Sequence, residues 1–317
     1  MDDKFVSIVI PTYNYARYVT MAVDSALSQT HRHREVIVVD DGSTDDTRQR
    51  LEPYLNRIRY HYQPNQGLSA ARNAGIRAAS GGIIALLDSD DLWHPRKLEL
   101  QMQCLDQAPS CALVGAAALA GAEAGWPEFG QLPAIPARTV TRADLVVKSR
   151  FGPSSVVARR CCFTRAGFFD TSLRSVEDRD MWIRIAAHFP ICAVDLPLWW
   201  YRRHGNNMSS AAERMEDAER RVVHRALAAL ARERPVFLLR RKALAYALRS
   251  AAYRYDTAGM HGTALARLIR SMSLWPWPFR KDEALTFFER PKMFLLFFIR
   301  MLRSLQKDSR RSRRENS

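Results

Sequence analysis

The 317-residue chain is expected to be α/β: a mostly parallel sheet with helices on both faces, followed by a helical C-terminal extension. Three observations predict this. Short apolar runs recur through the first half, each followed by a segment of helical periodicity, and such alternation implies parallel strands joined by right-handed crossovers. Several runs end in polar or acidic residues, at the strand ends where open α/β sheets bind ligands. After about residue 210 strand signals vanish and Ala, Leu and Arg dominate.

Residues 5–11 read as the first strand, closed by Pro11-Thr12-Tyr13-Asn14. Val19, Ala22, Val23, Ala26 and Leu27 fall on one face of a helix over 16–29. Residues 35–39 form a second buried strand, closed by Asp40-Asp41-Gly42-Ser43. Thr44 is placed to cap a helix over 45–55, where Asp45 and Asp46 suit the positive end. A short strand at 58–62 precedes a helix at 68–79. The apolar run 83–87 is bounded by Gly81-Gly82 and followed by a helix at 94–107 opened by Pro95. Residues 121–140 are Gly-, Pro- and Ala-rich and read as a loop. A helix at 141–148, a strand at 154–158, helices at 160–166 and 177–188, and a strand at 191–195 complete a domain ending near 210. Residues 211–317 form the extension, with amphipathic helices at 211–232, 235–256 and 261–273, a helix at about 291–306 opened by Pro291, and a basic tail.

The net charge of +15 favours anionic partners, whether nucleotides, nucleic acid or an acidic membrane surface. Five cysteines without Cys-x-x-Cys spacing read as reduced thiols of a cytosolic protein, and neither a disulfide framework nor a zinc site is expected. The N-terminus enters a strand directly, so no signal peptide is expected. No apolar run reaches the roughly 18 residues that span a bilayer. The chain is expected in the cytoplasm, soluble or lying on a membrane.

Asp88-Ser89-Asp90-Asp91 puts three carboxylates at a strand end. Carboxylates this close repel one another unless a cation sits among them, and Mg²⁺ or Mn²⁺ shared with substrate phosphates is the usual one. A solvated acidic turn with Asp91 capping the next helix accounts for the same residues. Asp40 and Asp41 are placed to accept hydrogen bonds from a base or ribose, and Tyr13 to stack on a base; ordinary turns account for both segments as well. Asn65-Gln66-Gly67 introduces a helix whose N–H groups suit an anion, with Arg72 and Asn73 one turn in. A Walker loop and a Gly-x-Gly-x-x-Gly fingerprint are both absent. Glu177-Asp178 either complements a helix dipole or points a general base into a cleft. His204 sits in a Gly/Asn loop among groups suited to metal or phosphate.

Six segments in this order resemble the family 2 glycosyltransferases of the GT-A fold: Val6 to Asn14, Val39 to Asp45, Asn65 to Asn73, Leu87 to Asp91, Glu177-Asp178, and Tyr201-Arg202-x-His204. The resemblance covers about residues 5–210. It implies an inverting transferase that uses a nucleotide-diphosphate sugar. By the same resemblance Pro11, Thr12, Tyr13, Asp40, Asp41, Arg72, Asn73, Asp88 and Ser89 serve donor binding. It also implies that Asp90, Asp88 and His204 hold the metal, and that Asp178 beside Glu177 is the catalytic base. The Gln-x-x-Arg-Trp motif of processive synthases is missing, so one sugar per encounter is expected. The implied acceptor is a glycan or lipid-linked glycan of bacterial cell-surface polysaccharide or lipopolysaccharide, with no nucleic-acid partner. A nucleotidyltransferase and an inactive nucleotide-sugar-binding scaffold are the alternatives. Residues 291–317 either contact anionic membrane peripherally or pack an apolar helix face on the protein.

Overall fold

The computed structural model describes residues 4–119, 125–130, 132, 134–202, 211–279 and 289–315, and only the backbone of 305 and 307–315. The chain divides into two compact units, one of Met1–Leu145 with Ser149–His204 and one of Val146–Lys148 with Gly205–Ser317.

In the first unit, β1 (Val6–Thr12), β2 (Arg34–Asp40), β3 (Arg59–Tyr62) and β4 (Ile83–Leu86) pair in parallel in the order β3-β2-β1-β4. Their register sets the site. Thr12 lies level with Asp40, Asp40 with Tyr62, and Val9 with Leu86, so residues 12–14, 40–43 and 88–91 leave the sheet at one edge. Alternating strand residues face opposite layers. Ile8, Ile10, Val36 and Val38 share a core with Val19 and Val23 of α1 (Val19–Leu27) and Leu98 and Leu105 of α4 (Lys97–Gln107). On the other face α3 (Leu68–Ala78) packs so close that a Cβ on Gly75 would sit 2.3 Å from Val9.

Between these, α2 is only Thr47–Leu51, continued by a 3-10 turn at Glu52–Tyr54. Its first turn is tied by Asp45, whose Oδ1 accepts the Thr47 N–H at 3.0 Å and hydroxyl at 2.6 Å; Thr44 does not cap it. The helix expected from Pro95 begins at Lys97, because Leu92–Trp93 instead form a short strand, β5.

The later strands make the sheet mixed. β6 (Leu113–Leu119), β7 (Ala137–Val140), β8 (Val157–Arg159) and β9 (Ile191–Trp200) extend it through three antiparallel pairs, β4·β8, β6·β8 and β7·β9, and the parallel pair β6·β9. β5 closes the far end against β9. β6 was not expected, and β7 lies in the segment read as loop. β9 runs on past residue 195 through Pro197, which falls where the register with β6 shifts and a missing N–H is tolerated. Helices α5 (Arg142–Val147), α6 (Cys161–Ala166) and α7 (Glu177–Ile185) complete the unit.

The second unit is helical: α8 (Ala212–Ala231), α9 (Phe237–Thr257), α10 (His261–Leu274) and α11 (Glu289–Glu315). Buried Ala251, Ala252 and Ala264 let the helices approach, and Tyr255, Leu265, Leu268 and Phe297 fill the core they leave. Among the described residues no helix is long and apolar enough to cross a membrane.

Candidate active site

The exits of β1 and β2 are tied together by side chains. Asn14 takes a left-handed φ of 54°, donates its N–H to Ser43 Oγ at 3.0 Å and accepts the Thr44 N–H at 2.7 Å. Asp40 accepts the Ser43 N–H (2.8 Å) and the Tyr60 hydroxyl (2.7 Å). Asp41 accepts Gln63 Nε2 (2.6 Å) and the N–H groups of Gln66 (3.0 Å) and Gly67 (2.8 Å). Both carboxylates are buried; Asp41 holds the 63–67 loop against the strand end, and Asp40 ties the Ser43 turn to Tyr60 of β3. Gly42 is required directly after Asp41: φ is +79° and a Cβ would meet the Asn65 nitrogen at 2.7 Å. Pro11 is buried beneath this edge and Tyr13 stands out, 45 % exposed. The Thr12 hydroxyl is buried without a partner among the described residues.

The acidic strand end is clamped from two distant segments. Ser154 Oγ donates to Asp91 Oδ2 at 2.6 Å and accepts the Asp88 N–H at 3.0 Å. Arg202 donates its backbone N–H to Asp91 Oδ1 (3.2 Å) and its Nε to the Asp90 carbonyl (3.0 Å), with its guanidinium over the Tyr18 and Trp200 rings. Asp91 is thus an interior group of the loop and does not cap α4. Burial, then the charges of Asp90 and Asp88, push its carboxyl well above the usual carboxylate range. Burial and the same two aspartates push the Tyr15 hydroxyl up to about 12. Ser154→Ala is expected to lower stability by about 1–3 kcal/mol by stranding a buried carboxylate. Denaturant titration checks this, and an unchanged midpoint would refute the clamp.

Arg72 joins two parts of the site. It is 1 % exposed, donating Nη2 to Asp88 Oδ1 and Nη1 to Glu177 Oε1, each at 2.6 Å, with its guanidinium 5.5 Å from the Phe169 ring. Asn73 is buried too and exchanges hydrogen bonds of 2.9 Å with both backbone groups of Phe169. Arg72 and Asn73, expected to reach the donor, therefore spend the hydrogen bonds described here on protein groups beneath the surface.

Glu177 and Asp178 open α7 just after Val176, which holds φ +62°. That is a strained backbone for a β-branched residue. Glu177 is buried against Arg72, whereas Asp178 is half-buried and accepts the Arg179 N–H at 2.7 Å. Burial, then the Glu177 charge, pushes the Asp178 carboxyl up to about 7. Adjacent carboxylates in one turn thus acquire different properties, one fixed in an ion pair and one poised to exchange a proton near neutrality.

A divalent cation fits the strand end. Burial first, and then the charges of Asp90 and Asp88, raise Asp91 and Tyr15; Arg72 is one cation for both Asp88 and Glu177, and the donors at the strand end are hard oxygens. The described residues hold no cluster of three or more His, Cys, Asp or Glu suited to a metal, so the fit is to Mg²⁺ or Mn²⁺ bound by one or two carboxylates together with substrate phosphates. His204, expected as a ligand, lies outside the described residues. Ser89 is buried between the two aspartates. Tyr15, Ser154 and Arg202 were not among the expected site residues.

The chain shares 47 % identity over 98 residues with an uncharacterized glycosyltransferase of Nostoc sp., covering 30 % of each protein. It shares 47 % over 105 residues with the chondroitin synthase of Escherichia coli, covering 32 % of this chain and 15 % of that one. The chain thus spans less than a third of the length of either relative. The fold resembles that of S. aureus TarS 1-349 solved in complex with UDP-GlcNAc, with a TM-score of 0.57 and 20 % identity over 88 % of this chain and 93 % of that one. It also resembles the mannosyltransferase PcManGT of Pyrobaculum calidifontis in complex with GDP-Man and Mn²⁺, with a TM-score of 0.60 and 17 % identity over 95 % and 86 %. At such identities these two likenesses carry the fold alone. The model of glycosyl transferase family 2 matches residues 7–166, half of the 317-residue chain: the chain belongs to glycosyl transferase family 2.

Proposed function

We propose that the chain is an inverting, metal-dependent glycosyltransferase that moves one sugar from a nucleotide-diphosphate donor to an acceptor hydroxyl. The observation that carries this reading is the Arg72 bridge. One buried guanidinium holds the acidic strand end, through Asp88, beside the turn that bears Asp178. A cation-binding edge and a carboxyl poised near pH 7 are what such a displacement needs on either side of the anomeric carbon.

In this reading Tyr13, Pro11 and Thr12 line the nucleotide pocket, over a floor fixed by Asp40 and Asp41. Asp90 and Asp88, with His204, hold Mn²⁺ or Mg²⁺, which when bound neutralises the departing diphosphate. Asp178 takes the proton from the acceptor hydroxyl as that oxygen attacks the anomeric carbon. A single displacement inverts the configuration. Glu177 stays in its ion pair, and burial together with the Glu177 charge keeps the Asp178 carboxyl basic enough to accept the proton. Two solved relatives in fold hold UDP-GlcNAc, and GDP-Man with Mn²⁺, which supports a nucleotide sugar and a divalent ion. The identity shared with chondroitin synthase supports a glycan acceptor. We place the reaction at the cytoplasmic face of the cell membrane, in assembly of bacterial surface polysaccharide or lipopolysaccharide on a lipid-linked glycan.

Melting of the protein with UDP-, GDP- and dTDP-sugars, in Mn²⁺ and in EDTA, tests the reading. One nucleotide class is expected to stabilise the fold by about 2.7 kcal/mol at a hundred times its Kd, and EDTA to remove the effect. Asp90→Ala is expected to lose the metal-dependent part in Mn²⁺. An equal shift in EDTA, or in the variant, overturns the metal assignment. Release of pyrophosphate in place of nucleoside diphosphate would make the chain a nucleotidyltransferase.

A further inference from the structure

The helical unit carries two features that donor chemistry does not use. Sixteen large apolar side chains are exposed among the described residues, and twelve of them belong to this unit. Residues 205–317 also hold 24 Lys and Arg against 11 Asp and Glu, a net +13 of the chain's +15. The charge therefore belongs to the helical unit and not to the unit that bears the strand-end carboxylates.

Both features converge on α11. One face of this helix is already used: Phe297 is 2 % exposed and packs with Met293 and Met301 against Ala252, Tyr255 and Leu268, while Arg300 pairs with Asp256. At about 100° per residue, Phe294, Phe298, Leu302, Leu295 and Ile299 share a second arc, about 140° wide. Every one of them is exposed, Leu295 to 59 %. Phe294 and Phe298 stack with their rings parallel, 6.3 Å apart. Lys292 and Arg303, both exposed, border the arc on the Ile299 side. The sequence then adds Lys307, Arg310, Arg311, Arg313 and Arg314 against Asp308 and Glu315.

We propose that this second arc is a docking face for an anionic lipid bilayer, with α11 lying in the headgroup plane. The apolar arc enters the boundary of the acyl chains, and the adjoining basic flank meets the anionic headgroups. The buried face anchors the helix to its own unit, so it is presented at the surface without having to fold there. A second copy of the chain fits less well as the occupant. Mating two such arcs brings two strongly basic flanks together, where like charges repel. The inference deepens the proposed lipid-linked acceptor and rests on that reading for its purpose. Vesicle binding and donor turnover are therefore measured separately.

The full chain is sedimented with vesicles of phosphatidylcholine alone or mixed with phosphatidylglycerol, at low and high salt. Recovery is expected on the mixed vesicles only and to fall with salt. The double variant Leu295→Glu/Phe298→Glu is expected to be recovered at least about ten-fold less, with its melting midpoint and rate of donor hydrolysis unchanged, because both side chains are exposed and far in sequence from the site residues. Equal recovery of variant and parent overturns the proposal, and so does equal recovery on phosphatidylcholine alone. A parent dimer that the variant splits, seen by analytical ultracentrifugation, would assign the arc to a second copy instead.

Discussion

Asp178→Asn is expected to keep nucleotide-sugar binding and to lose transfer by about 10²–10⁴-fold, the usual contribution of a positioned general base. Asparagine preserves the shape and the hydrogen bond from the Arg179 N–H but cannot accept the acceptor's proton. The parent's rate is expected to rise with pH through about 7, where the Asp178 carboxyl ionises, and the variant's to lack that limb. Near-parental transfer by the variant would remove Asp178 as base. Stability is expected to move the other way. The folded state holds a proton on Asp178 that the unfolded state releases near the ordinary aspartate value, so the native state is favoured at low pH and loses that advantage as pH rises toward 7. With partial solvent screening allowed for, the loss is about 1–2 kcal/mol, and the asparagine variant escapes it. Melting midpoints of parent and variant in EDTA are expected to coincide near pH 4 and to separate by pH 8, with the variant higher. A constant separation would mean that the Asp178 carboxyl is not raised by the fold.

The parallel half of the sheet was legible because its signals are local. Runs such as 35–39 and 83–87 combine β-branched and aliphatic residues, and each ends in a polar motif that the register brings to one edge. β6 escaped because Ala and Gly favour no strand on their own; Leu113 and Val114 find partners in both β8 and β9, and Gly115 to Leu119 are strand because β9 pairs with them. β7 escaped for the same reason, being a four-residue strand defined by its antiparallel pairing to β9. The candidate site divides in the same way. Asp40, Asp41, Asp88 and Asp90 stand at strand ends that periodicity can locate. What holds them does not: Ser154 reaches Asp91 across 63 residues, Arg202 across 111, and Arg72 reaches Glu177 across 105. No spacing rule links such positions. Tyr15 is two residues beyond Tyr13, yet Tyr13 stands in solvent while Tyr15 feels the charge of Asp88 and Asp90.

Arg72→Met is expected to cost about 3–5 kcal/mol, because removing one partner of a buried ion pair leaves an uncompensated charge. Here one side chain serves two carboxylates, Asp88 and Glu177, so the upper end of that range applies. The stranded carboxylates relieve the penalty by taking up protons, so the deficit is expected to be largest at alkaline pH and to shrink toward pH 4. Arg72→Lys is expected to restore only part of the stability, since one ammonium cannot reproduce a fork that reaches two acceptors. Adding Glu177→Gln to Arg72→Met removes one stranded charge and is expected to recover stability at pH 8. It also removes the Glu177 charge that helps raise Asp178, a larger influence than the opposing Arg72 charge lost with it, so the pH limb of any remaining transfer is expected to move below 7. Recovered stability with an unmoved limb would mean that the losses of the Glu177 and Arg72 charges offset one another at Asp178. Recovery of neither would mean that Arg72 holds the site chiefly through Asp88. Stability across pH and the position of the kinetic limb thus separate the two halves of a bridge that the folded structure joins in one guanidinium.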